Sequence, residues 1–180
     1  MSLFFIFVLI FLLLAILFFS LPSLSPIPYF PSNKKDLPLI IKALNLKNNQ
    51  AVFDLGAGDG LVIFEAAKEA FRKKLNTKFF AIEINPILIL IMWLRWLFHP
   101  NKKNIKIIRD DIFKIDPKNY QLEATSYTFY LYLSPWYLKK VIRNLKSRIK
   151  KFNLVSYFYP IPKMSINSII IKGKNKIFVY

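Results

Sequence analysis

The chain has no cysteine, so disulfides, zinc–thiolate sites and cysteine nucleophiles are excluded. Its single histidine, His99, excludes a site built from several imidazoles. His99 stands before Pro100 at the end of an apolar run and reads as a residue of a helix C-terminus rather than a catalyst. Only four glycines occur in 180 residues, and three of them crowd together at Gly56, Gly58 and Gly60. Acids are scarce too, ten against 27 lysines and arginines, for a formal net charge of +17. That surplus leaves two functional readings, attraction to anionic lipid or to nucleic acid. It also leaves a bland one, a Lys/Ile/Asn/Phe-rich compositional bias of the kind an AT-rich genome gives. The cations are dispersed (Arg72-Lys73-Lys74, Lys102-Lys103, Lys139-Lys140, Arg143 to Lys151) and form no compact nucleic-acid module.

Charge is also absent from the first stretch. Leu3 to Leu21 holds no charged residue and is nearly all Leu, Ile, Phe and Val. About 20 apolar residues in a helix cross a hydrocarbon core of about 30 Å. A cleavable signal peptide would want a basic start and a small-residue cleavage site. Met1-Ser2 has no cation, and Ser20-Leu21-Pro22-Ser23 is a poor site. The expectation is an uncleaved anchor over 1–22, then a stiff linker over 23–35 carrying Pro22, Pro26, Pro28 and Pro31 at or near it, then one domain over 36–180. Lys34 and Lys35 are the first charges, so positive-inside logic places the N-terminus outside and the domain in the cytoplasm, a single-pass membrane protein.

What is present is most informative at Val52-Phe53-Asp54-Leu55-Gly56-Ala57-Gly58-Asp59-Gly60. An apolar run delivers an acid, a glycine turn follows, and apolar residues then recur at Ile63, Ala66, Ala67, Ala70 and Phe71, on one helical face. Strand, glycine turn and helix let a backbone approach a ligand closely. The dinucleotide fingerprint G-x-G-x-x-G does not fit, because the third glycine comes early and Leu61 takes its place. Asp54 and Asp59 would repel a pyrophosphate, whereas a ligand bearing an ammonium and a sulfonium would suit them. No G-x-x-x-x-G-K-[ST] loop occurs.

Strands are predicted near 50–54, 78–83, 105–109, 126–133 and 152–158, with helical patterns between them and an amphipathic helix over Asp36 to Leu46. Such alternation means a parallel sheet. The tail from Ser168 to Tyr180 is two apolar runs around a turn beginning near Gly173, an antiparallel hairpin. Residues 86–98 are apolar except for Arg95. They are too short to span a bilayer and too greasy on all sides for an ordinary surface helix. This favours an interfacial helix with Trp93 and Trp96 at headgroup level over one simply packed on the sheet.

The pattern D-x-G-x-G-x-G resembles motif I of the class I S-adenosylmethionine-dependent methyltransferases. Phe79-Phe80-Ala81-Ile82-Glu83 resembles the family's second strand, ending in the acid that meets the ribose hydroxyls. Ile105 to Phe113 resembles the third strand with the acid that meets the adenine amino group, here Asp111, with Asp110 as a substitute. The resemblance implies a Rossmann-like seven-strand α/β sheet, mostly parallel with a C-terminal antiparallel hairpin, preceded by one transmembrane helix. It implies S-adenosyl-L-methionine as cofactor, with Asp54, Gly56, Gly58, Asp59, Gly60, Glu83 and Asp111 around it.

Further segments narrow the resemblance. Pro28-Tyr29-Phe30-Pro31-Ser32, Tyr130-Leu131-Tyr132-Leu133-Ser134-Pro135 and Val155-Ser156-Tyr157-Phe158 resemble segments of the small membrane-anchored protein lysine methyltransferases. Those enzymes modify the ATP synthase c-subunit or the adenine nucleotide translocase. The match covers roughly residues 28–180. Ser32 stands where that family usually has threonine, and Trp136 follows the proline where a polar residue is expected. By this resemblance Tyr29, Ser32, Tyr132 and Pro135 are candidates for the substrate entrance, with Phe30, Tyr130 and Trp136 beside them; for the tyrosines, plain core or strand packing stays open. The expected substrate is a lysine of a protein, which can itself be a membrane protein. Lipid partners are expected along the N-terminal helix and residues 86–98. Rival readings are a lipid or quinone methyltransferase and a non-catalytic binding module. No nucleic-acid partner is expected, because Leu133-Ser134-Pro135-Trp136 does not supply the N-P-P-Y type of motif that stacks a flipped base.

Overall fold

The computed structural model of the chain describes residues 3–20, 27–120, 124–170 and 173–180, with the side chains of 17–20 outside the description. Its centre is β1 (Gln50–Leu55), buried at every position. A strand with unbroken burial is covered on both faces, which is why its sequence runs apolar instead of alternating. The other strands are β2 (Lys78–Glu83), β3 (Ile105–Arg109), β4 (Ser126–Leu131), β5 (Asn153–Tyr157), β6 (Ser168–Ile170) and β7 (Ile177–Val179). They form one seven-stranded sheet in the order β3-β2-β1-β4-β5-β7-β6. β1 to β5 are parallel, while β7 runs antiparallel to both β5 and β6. The parallel sheet finished by a hairpin is therefore as the sequence predicts.

The strands' alternation sorts side chains to two faces. On one, Phe53, Phe80 and Phe129 stack across three neighbouring strands, with Phe53 centroids 4.6 and 5.1 Å from the other two rings. Helix α5 (Pro135–Arg148) covers this face through Leu138, Val141 and Leu145. On the other face, Val52, Phe79 and Tyr130 meet α2 (Leu37–Leu44), α3 (Leu61–Arg72) and α4 (Pro86–Leu97). α3 buries Ile63, Ala66, Ala67 and Ala70 as its spacing predicts, but Phe71, in the last turn, is half exposed. The expected helix over Asp36 to Leu46 is shorter. A 3-10 turn at Lys34–Asp36 precedes α2, and Asn45 ends it in the left-handed region.

The N-terminal helix α1 spans Leu3–Ser20, 18 residues. Among the described residues no helix is long and apolar enough to cross a membrane, so the transmembrane helix expected over 1–22 is not shown. Residues 1–2 and 21–22 of that expected span lie outside the described residues.

The segment expected as a linker over 23–35 lies against the domain from Ile27 onward, and residues 23–26 fall outside the described residues. Its anchor is Asp36, fully buried. The Asp36 carboxylate accepts from the Tyr157 hydroxyl at 2.6 Å, from Lys174 N–H at 2.6 Å and from Asn175 N–H at 3.1 Å. The Tyr157 oxygen in turn accepts from Asn175 Nδ2 at 2.6 Å and Asn33 N–H at 3.3 Å. Burial opposes the Asp36 charge, but these donors prevail and hold the carboxyl below its ordinary value. Tyr157→Phe should lower stability by about 1–3 kcal/mol, because it leaves a buried carboxylate oxygen short of a donor. Urea unfolding of the two proteins checks this, and an unchanged midpoint would remove Asp36 from the centre of this network.

Candidate functional site

β1 pairs with β2 on one side and β4 on the other, so the chain reverses direction across the sheet at β1. Open α/β sheets bind ligands in the crevice at the carboxyl ends of strands at such a point. A cavity of about 780 Å³ lies there. It is lined by Tyr29, Ser32, Asp54, Gly56, Gly58, Asp59, Glu83, Asp110, Asp111, Tyr130 and Tyr132, among others. Two predicted site residues are not in its wall. Gly60 sits behind it as the N-cap of α3, and Pro135 is the first residue of α5. Trp136, expected near the entrance, points to solvent with 83% of its surface exposed.

The glycine turn is fixed by β2. Gly56 N–H and Ala57 N–H both donate to the Ile82 carbonyl at 2.9 Å. Gly58 has φ +59°, and a Cβ there would fall 2.6 Å from the Tyr29 ring. Gly60 has φ +78°, and a Cβ would fall 2.5 Å from the Phe64 ring and 2.9 Å from Met92 Cγ. Both positions thus need glycine for conformation and for space.

Glu83 ends β2 and is buried. Its Oε2 accepts from Gly58 N–H at 2.9 Å, and its Oε1 accepts from Ile84 and Asn85 N–H at 2.8 and 2.9 Å. One carboxylate therefore holds both the glycine turn and the start of α4. Asn85 caps α4, its side-chain oxygen accepting from Ile87 N–H at 2.9 Å. Asp59 lies against the Tyr29 phenol and is clamped by Arg95 of α4, which donates to its carboxylate at 2.8 Å and its carbonyl at 2.9 Å. Asp111 folds back on its own turn, accepting from Phe113 N–H at 2.9 Å, and Asp110 accepts from the Tyr120 hydroxyl at 3.2 Å.

Asp54 differs from these acids. It is 3% exposed, and none of the described residues donates a hydrogen bond to its carboxylate, which opens only to the cavity. Burial, then the charges of Glu83 and Asp59, push its pKa up to about 8. The phenols of the site are raised as well. Tyr29 is pushed up to about 12 by burial and by Asp59, and burial raises Tyr130 well above its ordinary value and raises Tyr132. Tyr130 shares a hydrogen bond of 2.8 Å with the Ser32 hydroxyl, which ties the pre-domain segment to β4. The Tyr132 ring stands edge-on to Tyr157, with centroids 4.9 Å apart. His99 lies just past α4. Asn101 N–H donates to its Nδ1 at 3.1 Å, so Nε2 donates to the Phe64 carbonyl at 3.0 Å, a structural role.

Sequence reading missed two participants. Arg95 drew notice only as the single charge in a greasy stretch, and its partner lies 36 residues away. Asp36 was read only as the start of a helix, and its partners lie 121 to 139 residues away. No local pattern carries such contacts.

Sheet order, hairpin and crevice together define the class I S-adenosylmethionine-dependent methyltransferase fold. No family model matches the chain. It is 26% identical to the lysine N-methyltransferase of the ATP synthase c-subunit from Caenorhabditis elegans, over 76% of this chain and 69% of that protein. It is 31% identical to a probable ribosomal RNA small subunit methyltransferase A of Methanosphaera stadtmanae, over 44% of this chain but only 27% of that protein. An RNA methyltransferase of Salinibacter ruber, solved with S-adenosyl-L-homocysteine, superposes with a TM-score of 0.68 at 19% identity, covering 84% of this chain and 92% of that one.

An acid with a raised folded pKa is protonated in the native state while already ionised in the unfolded chain, so it draws stability down as pH rises from about 4 to about 8. Asp54→Asn cannot ionise and escapes that loss. Its melting temperature should gain on the wild type across this interval by at least about 2–4 °C, then run parallel above it. A pH-independent difference in thermal melts would show that Asp54 ionises freely in the native fold.

Proposed function

We propose that the chain is an S-adenosylmethionine-dependent methyltransferase, held at a membrane, that methylates a lysine side chain of a protein. The observation that carries the cofactor part is Asp54, a buried carboxyl that faces the cavity with no donor among the described residues. A cationic ligand would complete it, as an anion would not. The rest of the site fits the same group. Gly58 leaves its backbone bare at the cavity wall, and Glu83 keeps lone-pair capacity beyond its three N–H donors. Under this reading Asp54, Gly56, Gly58, Glu83 and Asp111 hold the cofactor, Asp59 supports the loop through Arg95, and Gly60 starts the helix behind it.

When bound, S-adenosylmethionine supplies a sulfonium methyl group open to in-line attack. The protein's own work is positioning and desolvation. Tyr29, Phe30, Tyr130, Tyr132 and Leu133 line the cavity with aromatic and apolar surface. Such a lining disfavours an ammonium and lowers the pKa of an entering lysine, which must lose its proton to water before attack. The raised phenols of Tyr130 and Tyr132 stay protonated. They act as hydrogen-bond partners for the amine and not as bases. Ser32 positions Tyr130, and Pro135 begins the helix after this strand end.

Protein lysine as substrate is supported by the similarity to the worm lysine N-methyltransferase and by the aromatic entrance. Tethering is supported by the sequence from Leu3 to Leu21 and by a described helix whose large side chains, including Leu3, Phe7 and Phe11, are exposed. This segment enters the bilayer as a single pass with the N-terminus outside, residues 23–35 follow it, and the domain over 36–180 sits on the cytoplasmic side, where Lys34 and Lys35 lie.

Purified protein should transfer radiolabel from S-adenosylmethionine to a membrane protein, recovered as methyl-lysine on hydrolysis. Gly58→Val, which drives a side chain into the Tyr29 ring, should abolish cofactor binding. Tyr132→Phe should lower kcat/KM about tenfold with cofactor affinity unchanged. Label confined to the organic-soluble fraction would assign a lipid or quinone substrate, and label in RNA would assign the substrate class of the Salinibacter and Methanosphaera proteins.

A further inference from the structure

Helix α4 is apolar on the wrong side. It packs inward through Leu88 and Met92, both buried. Its exposed residues include Leu90, Trp93, Leu94 and Leu97, and Phe98 follows at its C-cap, with 44% to 89% of their surfaces exposed. The spacing is i, i+3, i+4, i+7, i+8, so the five form one stripe facing outward. A stripe with this period is a surface made to be covered, unlike scattered exposed leucines.

The surroundings of the stripe say what covers it. From Pro86 to Arg109 the chain carries no acid, and Arg95, Lys102 and Lys103 lie on or just after α4, while Lys106 turns to the other face of the sheet over the Phe80 ring. Arg95 is held by Asp59, while Lys102 caps the Leu97 carbonyl at 3.1 Å and lies over the Trp96 ring. This fixes Lys102 at the end of the stripe, while the charge of Arg95 is met by Asp59. Trp93 and Trp96 meet edge to face with centroids 5.3 Å apart, and Trp96 Nε1 donates to the Lys102 carbonyl at 2.9 Å. Aromatic and aliphatic side chains beside the lysines at the end of the helix are complementary to an anionic bilayer surface, with tryptophan at headgroup depth.

We propose that the outer stripe of α4 docks on anionic lipid, a second membrane contact separate from α1 that lays the domain flat against the bilayer. It extends the tethering reading above, so the two must be scored apart. Trp96→Phe/Trp136→Phe leaves Trp93 as the one tryptophan of the chain. This full-length variant, with native far-ultraviolet dichroism, is mixed with vesicles of phosphatidylcholine alone or mixed equally with phosphatidylglycerol. Flotation reports tethering, and quenching by acyl chains brominated near the headgroup reports docking. Expected is about a twofold loss of Trp93 emission in the anionic vesicles, reduced by salt and abolished by Leu94→Glu/Leu97→Glu, which still floats. Flotation without quenching overturns the docking face and leaves the tether standing. Equal quenching in neutral vesicles overturns the assignment to anionic lipid. Shielding of Trp93 from acrylamide in lipid-free detergent, with the mass of a dimer, gives the face to a second copy and also overturns it.

Discussion

The pairing of β1 with β2 and β4 is the constraint on which the site depends. Helices α3 and α4 leave the sheet towards one face and α5 towards the other, so the carboxyl end of β1 opens into a crevice. Asp54 and the glycine turn are delivered to that crevice by backbone ladders alone, since the register sets Asp54 opposite Ala81 and Tyr130. A small side chain on one side and a phenol on the other leave room above the acid. The same ladder continues past the strand end, where two N–H groups of the turn reach the Ile82 carbonyl. The geometry of the crevice is thus an extension of sheet geometry.

Electrostatics then divides the acids by task. Glu83 and Asp59 are occupied by the protein, one with backbone N–H groups and the other with Arg95. Asp54 is left with its burial penalty unrelieved, close to two other carboxylates. The chain has 27 basic residues, yet among the described residues no lysine or arginine forms a salt bridge with Asp54. A protein-supplied cation there would compete with a cationic ligand, so the acid stays available.

Most of the fold was legible because its strands are short apolar runs between glycines, prolines and polar turns, and buried strands tolerate little else. β1, β2 and β3 fall within a residue of their expected limits, and the hairpin lies where Ser168 and Gly173 suggested. Legibility failed where contacts join distant segments or where apolar character has two causes. Asp36 and Arg95 are unremarkable in sequence, and only folding gives them partners. Pro135 and Gly60 belong to the right motifs but serve helix starts outside the cavity wall. In α4, inward and outward apolar residues interleave, so the sequence reads as greasy all round while the fold separates a packed side from an open one.

Asp36 links two places that function keeps far apart. Its donors Lys174 and Asn175 lie in the turn before β7, while the segment it anchors carries Tyr29 and Ser32 over the cavity. Any displacement of that segment pulls on a carboxylate shared with the turn. The amide protons of Lys174 and Asn175 therefore act as distant reporters of the mouth. Slow hydrogen exchange there means that the segment lies closed over the cavity, and faster exchange means that the segment and the hairpin yield together.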